Sequence, residues 1–207
     1  MSGNDLKKAV LYIHGKGGSS AEAEQYRKFC PDFDVIGVDY DGDFPWTAQK
    51  AIRRVWDREA EKYGRIVIMA NSIGAYFAMN ALQNCAIEKA LFLSPILDME
   101  QLILGRMRAA GISESELREK GEIPCDFGEP LSWKYLCFVR EHPVVWDVPT
   151  EILLAGNDPF TPRRTADAFA AAHPAKVTVM ENGGHWFHTG EQLAFLENWL
   201  KKSLSGV

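Results

Sequence analysis

Ile66-Val67-Ile68-Met69-Ala70-Asn71-Ser72-Ile73-Gly74 runs directly into Ala75-Tyr76-Phe77-Ala78-Met79-Asn80-Ala81-Leu82. The first four residues are a continuous apolar run of strand formers, and the residues after Gly74 read as a helix. Strand, sharp turn and helix, with a serine at the turn, is the context in which a G-x-S-x-G-like pentapeptide becomes a nucleophile elbow. Small residues two before and two after the serine let strand and helix approach closely. Gly74 meets that need, and Ala70 replaces the first glycine of the pattern with a residue that adds only a methyl group. Ser72 then sits at a helix N-terminus, where unpaired N–H groups and the helix dipole favour developing negative charge. The pentapeptide alone is equally compatible with an ordinary N-cap serine.

The rest of the chain supplies the context. Its 207 residues and 46% hydrophobic content suit one domain with a sizeable core. A net charge of −5 and the lack of a basic run exclude nucleic acid as an expected partner. The start of the chain is polar, without the apolar core of a signal peptide. No apolar stretch approaches the roughly 20 residues that span a bilayer, so no membrane association is expected. Cys30, Cys85, Cys125 and Cys137 are widely spaced. They predict neither a disulfide framework nor a zinc site, and reduced thiols in a cytoplasmic protein follow.

Outward from the central stretch, apolar runs at 9–13 and 33–39 predict strands buried on both faces as in parallel sheets, and 89–94, 150–155 and 176–180 read as further strands. Helices are expected between them: one after Ser19, boxed by Glu22; one capped by Thr47, running to about Tyr63 and stopped by Gly64; and one with Pro162 in its first turn. A closing helix is boxed by Thr189 and Gln192 and anchored by Leu193, Leu196, Trp199 and Leu200. Residues 96–148 break this rhythm. They predict three helices, 99–110, 114–120 and 133–140, in an insertion too long for a plain crossover and too short for an independent domain. The alternation predicts an α/β fold with a mostly parallel sheet of about six strands, helices on both faces, and sites at the carboxyl ends of the strands.

The loops at those ends carry the chemistry-bearing residues. Residues 14–18 are His14-Gly15-Lys16-Gly17-Gly18, Asp158 lies in Gly156-Asn157-Asp158-Pro159, and His185 follows Gly183-Gly184. Together with Ser72 these residues resemble the α/β-hydrolase family, over nearly the whole chain apart from the insertion. The resemblance implies the three-layer α/β-hydrolase fold in a small form, with 96–148 as a helical cap within a single domain, 1–207. It implies a catalytic triad in the family's chain order, Ser72, Asp158 and His185. It also implies an oxyanion hole formed by the backbone N–H of Ile73 and by the 14–18 loop at Lys16 and Gly17.

Asp98, past the preceding strand, remains a rival for the acid, and His188 for the base. His14 reads as a loop-organising group, and His142 and His173, each before a proline, as solvated. The expected reaction is hydrolysis of a small to medium carboxylic ester through an acyl-enzyme on Ser72, without metal or organic cofactor. A thioester, or a small amide or peptide, is the alternative substrate, and a non-catalytic binding module is the alternative from another class. The partner is a small acyl substrate, and the oligomeric state is left open. Met107, Trp133 and Phe138 in the insertion are the substrate-pocket candidates, since apolar and aromatic side chains line such pockets.

Overall fold

A computed structural model describes residues 7–41, 44–125 and 129–207. The polar start of the chain, the turn expected through Gly42 and Asp43, and Gly128 lie outside the described residues. The chain divides into two compact units, one of 1–97 with 145–207 and one of 98–144.

In the first unit β1 (Lys8–Ile13) leads through a 3₁₀ turn, Ser20–Ala23, and one helical turn, α1 (Glu24–Arg27), to β2 (Asp34–Val38). Then follow α2 (Pro45–Ala60), β3 (Arg65–Asn71), α3 (Ile73–Leu82) and β4 (Lys89–Leu93). The second unit holds α4 (Met99–Ala110), α5 (Glu114–Lys120), the short strands β5 (Glu122–Ile123) and β6 (Leu131–Ser132), and α6 (Trp133–Glu141). The first unit resumes with β7 (Thr150–Ala155), α7 (Arg163–Ala172), β8 (Ala175–Met180) and α8 (Gly190–Leu204). Among the described residues no helix is long and apolar enough to cross a membrane.

Six strands form one sheet in the order β2-β1-β3-β4-β7-β8, every neighbouring pair parallel. All carboxyl ends therefore share one edge. The chain leaves β1 in one direction to make β2 and returns past it to make β3, so the order reverses between β1 and β3. Loops diverge at such a switch point and leave a crevice. The loop 14–18 and Ser72 both stand there.

The apolar runs alternate between the two sheet faces. Val10, Tyr12, Val67, Met69, Leu91, Leu93, Leu153 and Ala155 join Tyr26, Phe29, Leu196, Trp199 and Leu200 in one cluster. The other face carries α2, α3 and α7, and all ten residues of α3 are buried. A helix buried all round needs apolar or small residues on every side, which is what 73–82 provides.

Several element ends differ from expectation. Helix α2 begins at Pro45, not after Thr47, because Phe44 is held extended before the proline and Pro45 is preorganised for the first helical position. The Thr47 hydroxyl instead donates to the Phe44 carbonyl at 2.9 Å. Its last turn closes at Ala60, and the Gly64 N–H donates to Lys7 O at 3.0 Å, so Gly64 serves the sheet rather than a helix cap. Pro162 is the N-cap of α7 and not part of its first turn. Leu193 is exposed, whereas Leu196, Trp199 and Leu200 are buried. All four cysteines are free, but only Cys30 is fully buried. Burial pushes its thiol up to about 11.

The second unit is held by its own contacts. Arg140 on α6 donates to Glu100 on α4 at 2.6 Å and, in bidentate fashion, to Glu114 on α5 at 2.7 and 2.8 Å. The antiparallel pair β5–β6 was not expected, since two-residue strands leave no periodicity to read. Ile96 belongs with the first unit, where its N–H donates to Ser72 O at 2.9 Å. Trp146 does too, fully buried with its ring 5.9 Å from Phe92.

Two glycines make opposite predictions. A Cβ on Gly74 would lie 2.4 Å from His14 O and 2.6 Å from Ile13 O, both backbone atoms. Gly74→Ala must push α3 off the end of β1 and is expected to cost about 1–3 kcal/mol in urea unfolding. Gly105, inside α4, has only the tip of Arg108 within reach, at 3.9 Å. Gly105→Ala is expected to stabilise by about 0.5–1 kcal/mol in the same measurement, since a mid-helix glycine loses more chain entropy on folding.

Candidate active site

Ser72 occupies the one residue between β3 and α3, with φ 53° and ψ −124°. A non-glycine residue at positive φ is held there by its surroundings. Its N–H donates to Leu93 O at 2.9 Å, and its carbonyl accepts from Ala75 at 3.1 Å and Ile96 at 2.9 Å. With the backbone fixed on both sides, the side chain is turned away from the strand–helix stack. It remains only half-buried while its neighbours from Ile73 onward are buried.

The loops that follow β7 and β8 are spliced together. Gly156 N–H donates to Met180 O at 2.8 Å and Asn157 N–H to Gly183 O at 3.1 Å. Within the first loop, Asp158 divides its two oxygens. Oδ1 accepts from the N–H of Phe160 at 2.8 Å and of Thr161 at 3.4 Å, forming an Asx-type turn. Oδ2 lies 2.8 Å from His185 Nδ1. In the second loop, Phe187 N–H donates to Gly184 O at 3.1 Å, and the buried Phe187 ring anchors the turn in the core.

A carboxylate can only accept, so the His185 Nδ1–H donates to Asp158. That leaves the Nε2 lone pair facing Ser72 Oγ at 3.0 Å, and the hydroxyl donates to it. Both side chains of the inner pair are shielded, with 0% of the Asp158 side chain and 5% of the His185 side chain exposed. A hydroxyl beside an unprotonated imidazole nitrogen, itself oriented by a buried carboxylate, is an arrangement able to make serine nucleophilic.

The remaining predicted residues fall as follows. Ile73 is the first residue of α3, so its N–H is among the four that a helix leaves without an internal acceptor. The 14–18 loop passes beside the serine: a Cβ on Gly15 would stand 3.2 Å from Ser72 Cβ. Lys16 and Gly17 lie at the tip of its turn, closed by Gly18 N–H donating to Gly15 O at 3.2 Å, with Gly17 at φ 70°. His14 is buried, its Nδ1 2.8 Å from Gly15 O and its ring stacked on Tyr40 at 4.2 Å. The Tyr40 hydroxyl donates to the His14 carbonyl.

Asp98 caps α4, accepting from Gln101 N–H at 2.9 Å. His188 is exposed at the entrance to α8. His142 is exposed, but His173 is half-buried, its Nδ1 2.9 Å from Trp146 O and its ring 4.3 Å from Phe169. In the second unit Met107 is buried, Trp133 is half-buried at the start of α6, and Phe138 stacks on His142 at 4.1 Å. Among the described residues no group of three or more His, Cys, Asp or Glu could hold a metal ion.

Two residues at the site were missed in the sequence. Phe160 and Trp186 place their rings 5.0 and 5.1 Å from the His185 imidazole, both edge-on. The available signal was adjacency: one lies two residues after Asp158, the other next to His185.

Residues 10–197 match the model of the alpha/beta hydrolase family, and the chain belongs to that family. No curated protein matches the sequence. Among solved structures, Est1E from Butyrivibrio proteoclasticus is 18% identical, with a TM-score of 0.75, covering 97% of this chain and 88% of the other. Alpha/beta hydrolase domain-containing protein 10 from mouse is 15% identical, with a TM-score of 0.69, over 94% of this chain and 88% of its own. An esterase from Pyrococcus furiosus is 18% identical, with a TM-score of 0.58, covering 97% of this chain and 81% of the other. These likenesses concern the fold.

The strained turn has a measurable consequence. Ser72→Ala keeps a Cβ at φ 53°, whereas Ser72→Gly removes it. Relief of backbone strain of about 1–3 kcal/mol outweighs the extra chain entropy of glycine, about 0.5–1 kcal/mol. Ser72→Gly is therefore expected to unfold at a higher temperature than Ser72→Ala. Equal melting temperatures would mean that the turn is not strained.

Proposed function

We propose that this protein is a serine hydrolase that cleaves a carboxylic ester through an acyl-enzyme on Ser72. The observation that carries the reading is the unbroken line of hydrogen bonds from Ser72 Oγ to His185 Nε2, 3.0 Å, and from His185 Nδ1 to Asp158 Oδ2, 2.8 Å. Family membership and the esterases among its structural neighbours support it.

In this reading Ser72 Oγ attacks the ester carbonyl carbon as Nε2 takes its proton. Asp158 holds the tautomer and stabilises the imidazolium. The carbonyl oxygen becomes an oxyanion, met by the Ile73 N–H and by the turn at Lys16 and Gly17. Loss of one such donor costs on the order of 3–4 kcal/mol. The C–O bond to the alcohol then breaks, and Nε2–H protonates the departing oxygen. Water repeats the sequence on the acyl-enzyme, with its proton passing to Nε2 and on to Ser72 Oγ as the acid leaves. No step calls for a metal or an organic cofactor.

A fluorophosphonate probe should label the wild type at Ser72 and fail to label Ser72→Ala, and His185→Ala should lose hydrolysis to a similar degree. Asp158→Asn should lower kcat by about 10⁴-fold, the scale seen when a triad histidine is left in the wrong tautomer. Asp98→Asn should stay close to wild type, because asparagine caps a helix as well as aspartate does. His188→Ala should likewise be mild. Labelling at another serine, or a crippled Asp98→Asn beside an active Asp158→Asn, would overturn the assignment.

A further inference from the structure

Among the described residues only four large apolar side chains are exposed, and two of them flank the same imidazole. Phe160 is 41% exposed and Trp186 69% exposed, with ring centroids 5.0 and 5.1 Å from His185 at 71° and 86°. Neither position is accidental. Phe160 is fixed by its N–H on Asp158 Oδ1. Trp186 is held within the turn closed by Gly184 and Phe187, whose buried ring leaves the tryptophan outside. A solvent-exposed tryptophan held in a fixed turn beside a proton-transfer group is a ready apolar surface.

The chemistry decides which part of a substrate meets that surface. His185 Nε2 must hand its proton to the departing alcohol, so that oxygen comes within about 2.6–3.2 Å of Nε2. The first carbons of the alcohol then lie about 4–5 Å from the imidazole, in the same shell as the two aromatic rings. The acyl group, by contrast, stays bonded to Ser72 Oγ after the alcohol has gone. We propose, resting on the serine-hydrolase reading, that Phe160 and Trp186 form the leaving-group subsite and select esters of apolar, preferably aromatic, alcohols. Specificity on this side of the scissile bond is therefore carried by the acid and base loops of the first unit.

The same subsite is met in reverse when an alcohol replaces water in deacylation. The alcohol oxygen bonds to the acyl carbon, its proton passes to Nε2, the bond to Ser72 Oγ breaks, and Ser72 takes the proton back. Benzyl alcohol and methanol can be offered together to the enzyme turning over ethyl butyrate, and the two product esters counted. Trp186→Ala and Phe160→Ala are each expected to lower the benzyl-to-methyl capture ratio by about tenfold, the scale of a lost aromatic contact with its burial. Trp186→Phe should restore most of that loss, and the butyrate-to-acetate preference with a common alcohol should not follow the capture ratio.

An unmoved capture ratio in both alanine variants, or a shift in acyl preference instead, overturns the subsite. If the wild type is labelled at Ser72 by a fluorophosphonate while the capture ratio stays fixed, the subsite alone falls. If Ser72 is not labelled and no ester is turned over, the hydrolase reading falls and the subsite with it.

Discussion

The close approach of α3 to the end of β1 is the contact on which the site depends. The His14 and Ile13 carbonyls occupy the space that a side chain at residue 74 would need. The helix can start there only because residue 74 has no Cβ. A helix seated that deeply leaves one residue to reverse the chain from β3, and that residue is Ser72 at φ 53°. The same seating brings Gly15 against the serine at the reversal in strand order. Strain at the turn, the crevice and the candidate oxyanion donors all follow from one packing constraint.

A second constraint joins the other half of the site. Asp158 bonds the backbone of its own turn and the His185 imidazole at once. Oδ1 ties down the backbone of Phe160 and Thr161, which aims Oδ2 at His185. The same loop is tied to the chain just past β4 by the Thr161 hydroxyl, which donates to Pro95 O at 2.6 Å. The backbone bonds from Gly156 to Met180 and from Asn157 to Gly183 then hold the Asp158 and His185 loops side by side.

Much of this was legible along the chain. The central strands were readable because burial on both faces forces continuous apolar runs, and α3 because it is buried on every side. The loops at 14–18, 72, 158 and 185 were legible because glycine, serine, aspartate and histidine clustered after strands have few structural uses in common. Less readable were the places where a local rule had a competitor. Thr47 is a sound cap by propensity, yet Pro45 starts α2 earlier because the preceding Phe44 is already extended. Gly64 looks like a helix stop, yet it is drawn into pairing with Lys7. The strands β5 and β6 were invisible, since two residues carry no period.

By itself the sequence determined the alternation of strands and helices, the parallel sheet it requires, and the order in which serine, acid and histidine leave the strand ends. These are properties of local pattern, set by burial and backbone preference within a few residues. The tertiary structure alone decided which oxygen of Asp158 faces His185 and that Phe160 and Trp186 converge on one imidazole. Each of these turns on side-chain direction between segments 25 or more residues apart. No spacing along the chain encodes either, because both exist only once the loops have been brought together by the packing of α3 on β1 and of β7 on β8.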